Sequence, residues 1–72
     1  MRVKIRLDTM REAQEFVNIA TKMPGRVFIT DGEGLKVSAK SLLGALYAME
    51  FDNLWCESDE DIYRNIQDFI IV

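Results

Sequence analysis

Histidine is missing from all 72 residues. Phosphoryl transfer through an imidazole nitrogen is therefore excluded, and nothing of that kind is present to activate a thiol. The one cysteine, Cys56, has no internal disulfide partner, whereas small secreted domains usually carry several bridges. There is no run of about 18 apolar residues, so no membrane-spanning helix is expected. Residues 1–7 alternate basic and apolar side chains where a signal peptide would carry an apolar block. A cytoplasmic location is the expectation. Bases are outnumbered nine to twelve, and the formal net charge of −3 argues against a nucleic-acid partner. The imbalance is local as well. Residues 50–61 hold six acids and no base, while Arg2, Lys4 and Arg6 sit together at the start, an asymmetry able to orient a partner.

What is present fits one small domain spanning residues 1–72. The hydrophobic content of 49% suits a globular chain. Val3, Ile5 and Leu7 alternate with Arg2, Lys4 and Arg6, which predicts a strand with one buried face. Thr9-Met10-Arg11-Glu12 reads as a capping box, and Ala13, Phe16, Val17 and Ala20 recur at helical spacing behind it. Pro24-Gly25 ends that helix. Arg26–Thr30 is a predicted strand, Asp31-Gly32 a hairpin turn, and Leu35 and Val37 belong to the return strand. A second helix is expected from about Ser41 to Glu50 and a fourth strand over Leu54–Glu57. A last helix is expected after Ser58, with Ser58 as its cap and Ile62, Ile66 and Ile70 as its buried stripe, joined by Tyr63 and Phe69. The order is β-α-β-β-α-β-α, an α+β arrangement with an antiparallel sheet and helices on one face.

Within this order, Val37-Ser38-Ala39-Lys40-Ser41-Leu42-Leu43-Gly44 joins a strand to a helix. It resembles the regulatory-serine region of the histidine-containing phosphocarrier protein (HPr) family of the bacterial sugar phosphotransferase system. The resemblance implies an open-faced sandwich, a four-stranded antiparallel sheet with three helices on one face. It also implies that the second helix docks on partner proteins through Leu42, Leu43 and Leu46, and that Ser41 is phosphorylated by a dedicated kinase. Two departures stand out. Only Asp8-Thr9 joins the first strand to the first helix, where the family has a longer loop with Gly, His, Ala, Arg and Pro. The turn between the second helix and the fourth strand is also shorter.

Each candidate site has a plainer counterpart. Ser41 reads as an N-cap contributing roughly 1 kcal/mol, or as a phosphorylated switch whose phosphate meets the helix dipole. The second helix is over-supplied with apolar residues. Ala45, Met49, Leu42 and Leu46 share one face, and Leu43, Tyr47 and Phe51 a neighbouring one. One stripe is enough to cover a sheet, so the surplus is expected to be exposed as a docking surface beside Lys40, or covered by neighbouring loops. Trp55 is expected on the open sheet face beside Arg2, Lys4 or Arg6, either packed under a cation or as a homodimer contact. Arg11 reads as a solvated first-turn residue and Cys56 as a small buried hydrophobe. Glu57, Asp59, Glu60 and Asp61 lack the spacing of a calcium loop, so no metal is expected and no cofactor either. Asp31-Gly32-Glu33-Gly34 is turn chemistry.

The expectation is a non-catalytic, HPr-like interaction module with a protein partner at Lys40, Leu42, Leu43, Leu46 and Tyr47 and a control point at Ser41. Two other readings are a small-ligand-binding regulatory dimer of ferredoxin-like type and a residual phosphocarrier with a non-histidine acceptor.

Overall fold

The computed structural model describes residues 1–71. Its elements are β1 (Arg2–Ile5), α1 (Met10–Thr21), β2 (Val27–Thr30), β3 (Lys36–Ser38), α2 (Leu42–Ala48) and β4 (Leu54–Ser58), followed by a single 3-10 turn at Gln67–Phe69. The strands form one antiparallel sheet in the order β1-β4-β2-β3. Register sets the two faces. Val3 stands opposite Cys56, Cys56 opposite Ile29, and Ile29 opposite Val37, so these rows point to one side. That side meets Ala13, Phe16, Val17 and Ala20 of α1 and Ala45 and Ala48 of α2 in a single core. Fully burying a side chain such as Phe16, Ile29 or Val27 contributes about 1.5–3 kcal/mol each. No helix among the described residues is long and apolar enough to cross a membrane.

The start of α1 is fixed locally. Thr9 Oγ1 accepts from the Glu12 N–H at 3.1 Å, and Glu12 Oε1 accepts from the Thr9 N–H at 3.1 Å, so the capping box is complete. The β2–β3 connection, residues 31–35, is longer than a two-residue hairpin turn. Asp31 Oδ1 accepts from the N–H groups of Glu33 and Leu35 at 2.7 and 3.0 Å. The buried Thr30 hydroxyl donates to the Leu35 carbonyl at 2.6 Å and accepts from the Gly32 N–H at 3.0 Å. Leu35 therefore belongs to the turn and not to the return strand, and it is exposed.

The expected third helix is absent from the described residues. Ser58 ends β4 and donates its hydroxyl to the Glu60 carbonyl, so it caps nothing. Asp59 is used elsewhere. Its carboxylate accepts from the Arg26 backbone N–H at 2.8 Å and from Arg26 Nε at 3.1 Å, and its own N–H donates to the Arg26 carbonyl at 3.1 Å. Asp61 Oδ1 then accepts from the Tyr63 N–H, a side-chain turn that competes with helix initiation. Ile62, Ile66 and Phe69 are buried as expected, but Tyr63 is 39% exposed. Beyond the 3-10 turn, Ile70 bridges to Ile5. The Arg6 N–H donates to the Phe69 carbonyl at 2.9 Å and the Ile71 N–H to the Lys4 carbonyl at 3.0 Å. The clasp at Asp59, the Asp61 side-chain turn and the strand-like pairing from Phe69 onward fix both ends of this segment in conformations that are not helical.

The hydrogen bonds from the Arg26 backbone and side chain hold the Asp59 carboxyl below its ordinary range. A depressed native value stabilises the fold above the unfolded-state value, and that contribution disappears as pH falls through the native one. Asp59→Asn is expected to flatten the acid limb of stability below about pH 4. Thermal melts of both proteins across that range check it, and parallel acid limbs would remove Asp59 from the account.

Candidate docking helix and open sheet face

Ala39 is wholly buried and its N–H donates to the Val27 carbonyl at 2.8 Å, which fixes where β3 gives way to α2. Ser41 then caps the helix. Its φ and ψ of −111° and 120° are extended, and Oγ accepts from the Gly44 N–H at 3.1 Å. The side chain is exposed. Ser41→Ala is expected to lower stability by about 1 kcal/mol, measurable by urea denaturation, whereas Ser41→Asn is expected to cost less because it restores a cap.

Lys40 turns away from the helix surface. Its Nζ donates to the Met23 carbonyl at 2.8 Å, just beyond the end of α1. No base occupies the last turn of α1, so a cation from β3–α2 supplies charge at the negative end of its dipole. The geometry gives Lys40 a clear structural task.

α2 is shorter than expected, Leu42–Ala48 with Met49 as C-cap, and its packing is inverted in size. Its fully buried residues are Ala45 and Ala48. A methyl added to Gly44 would lie 3.0 Å from the Ser38 carbonyl oxygen and 3.4 Å from Val37 Cβ, so the helix sits close against β3 through small residues. The bulky residues are outside. Leu43 is 80% exposed, Tyr47 55% and Leu42 37%. Leu46, Met49 and Phe51 are partly buried against the core. Tyr47 and Phe51 meet edge-to-face with centroids 5.6 Å apart, which stiffens one margin of the surface. Leu42, Leu43 and Tyr47 thus share an exposed helix, while Leu46 is divided between surface and core.

The opposite side of the sheet carries a second constellation. Trp55 lies on the open face as expected, with Arg2 Cζ 4.9 Å and Lys4 Nζ 5.8 Å from its ring centroid. Arg6 does not take part in this stack, and it pairs instead with Asp8 at 3.0 Å. Phe28 faces the same way under Lys36 Nζ, 5.2 Å from its centroid. Glu57 lies between, 3.0 Å from Lys36 and 3.8 Å from Arg2. A hollow of about 320 Å³ opens beside it, lined by Arg2, Thr30, Gly32, Gly34, Lys36 and Glu57. The sequence reading overlooked Phe28 and Lys36. Alternation of Phe28 between the inward Val27 and Ile29 was the available signal.

Other candidates are ordinary. Arg11 pairs with Glu15 at 3.2 Å in solvent. Cys56 is wholly buried, and burial pushes its thiol up to about 11, far from a reactive thiolate. Among the described residues no three His, Cys, Asp or Glu side chains converge as metal ligands. Comparison with protein-family models, curated proteins and solved structures finds no match.

Proposed function

We propose that the chain is an HPr-like interaction module that binds a protein partner through α2, with Ser41 as its control point. The observation that carries this reading is the inverted packing of α2. A helix that buries Ala45 and Ala48, sits close against β3 at Gly44 and holds Leu43 and Tyr47 in solvent has a large apolar area available to a partner. The order β-α-β-β-α-β and the Ser41 cap at the strand-to-helix junction support the resemblance, although no terminal α-helix completes it. The absence of histidine separates the proposed role from phosphohistidine transfer. Ser41 is exposed and the first turn of α2 contains no acid, so a phosphate there would meet free amides without a carboxylate in that turn to repel it.

The test uses the family's serine kinase with ATP and reads the intact mass of the protein. One added phosphate that is lost in Ser41→Ala supports the control point. An unmodified mass removes it. Leu43→Asp is the companion variant for docking, because Leu43 touches the core least of the four apolar residues. It is expected to abolish kinase recognition while leaving the melting temperature nearly unchanged. Phosphorylation at the wild-type rate in Leu43→Asp would sink the docking surface even if Ser41 is modified.

A further inference from the structure

We propose that the open sheet face binds single-stranded nucleic acid, with Trp55 and Phe28 stacking on bases and Arg2, Lys4 and Lys36 taking phosphates. The inference is independent of the α2 surface, which lies on the other side of the sheet.

The face is laid out by register. Arg2, Glu57, Phe28 and Ser38 form one row, and Lys4, Trp55, Thr30 and Lys36 the next. Central strands β4 and β2 supply the rings, and edge strands β1 and β3 supply the cations. Trp55 and Phe28 are diagonal neighbours on paired strands, a separation of roughly 7–8 Å between backbones. Neither ring belongs to the core or packs against it. Both rings are half-buried. Arg2 and Lys4 lie over Trp55 and Lys36 over Phe28, and the indole edge of Trp55 lies against the turn at Gly32, where an added methyl would come within 3.3 Å of it. A base displacing an alkylammonium or guanidinium group from a ring releases that cation to a phosphate a few ångströms away. Aromatic platforms flanked by basic residues bind single strands in this way, tolerant of sequence because every base has a π-face.

The net charge that argues against a nucleic-acid partner for the chain as a whole is not the charge of this face. The value of −3 is an average over the chain, whereas the outward residues of these strands comprise three cations and one carboxylate. Glu57 spans Lys36 and Arg2, and among the described residues no carboxylate lies within ion-pair distance of Lys4. The same charge disfavours a homodimer through Trp55, since a two-fold contact would set two such cationic faces against each other. An acidic peptide would satisfy the cations and leave both rings without a partner.

The chain has one tryptophan, so its fluorescence reports this face directly. Titration with a short oligouridylate at low salt is expected to quench Trp55. The logarithm of the binding constant is expected to fall with the logarithm of salt with a slope of about −2, the value for three phosphates on a single strand. Lys4→Gln is expected to make that slope shallower by roughly 0.7. Phe28→Leu keeps a strand-compatible apolar residue. It is expected to weaken binding roughly tenfold with the slope unchanged, its fold being verified by circular dichroism. Absence of quenching overturns the proposal. So does an oligoglutamate of equal charge that binds as tightly, which would reassign the face to acidic peptides, or an unchanged affinity in folded Phe28→Leu.

Discussion

Phe69→Ala is expected to lower unfolding free energy by about 3–5 kcal/mol. Phe69 is buried and meets the fully buried Phe16 edge-to-face, with centroids 5.3 Å apart and planes at 86°. Removing it leaves a cavity next to the largest core side chain and a transfer loss. A chain of this length has a total stability of roughly 4–10 kcal/mol, so the variant approaches the unfolding limit. Tyr63→Ala supplies the contrast. A helix whose buried stripe included Tyr63 as well as Phe69 would make the two substitutions comparably costly. In the observed turn Tyr63 is outside the core and 39% exposed, and its replacement is expected to cost no more than about 1 kcal/mol. Urea denaturation of both variants decides between the geometries, and comparable losses would favour the helix.

Ala45→Leu is the second large effect, expected to destabilise by about 1–3 kcal/mol. Ala45 has no exposed surface, and at the neighbouring Gly44 even a methyl would press on β3. There is no room for an isobutyl group without moving α2 outward. Leu43→Ala, two positions earlier, is expected to stay within about 0.5 kcal/mol of the parent. Enlarging a buried alanine would then be harmful while trimming an exposed leucine is harmless, the reverse of what an apolar count along α2 suggests. A measurable loss for Leu43→Ala together with tolerance of Ala45→Leu would mean that the helix is rotated from the position described.

These contrasts show which parts of the molecule could be read from the residues. The β1 alternation, the Thr9–Glu12 capping box and the α1 stripe follow from neighbours within one strand or one turn, and they stand where expected. Trp55 also faced the expected way, because Leu54 and Cys56 on either side of it turn inward. The tail misled for a physical reason. Ile62, Ile66 and Phe69 are spaced as on a helix and are all buried, yet the chain bends through a turn, since Asp59 is bound to Arg26 and Ile70 to Ile5. Those partners are more than 30 residues away, and no local pattern contains them. The apolar surplus of α2 was visible, but not which residues would be outside. That depended on how closely the helix approaches Ser38, a distance set by the fold as a whole.

The short run from Phe69 to Ile71 along β1 has a consequence for behaviour at high concentration. An edge strand with free amides and carbonyls is a template on which another molecule can extend the sheet, the first step toward aggregation. Here the Arg6 amide and the Lys4 carbonyl on the β1 side are already paired within the chain. The opposite border, β3, offers only Lys36–Ser38, a strand of three residues that begins with a lysine. Such a border is too short and too charged to recruit a neighbour efficiently. Trimming the chain before Phe69 would bare the first border, and sheet-to-sheet association, more than loss of helix, would be the damage to watch for.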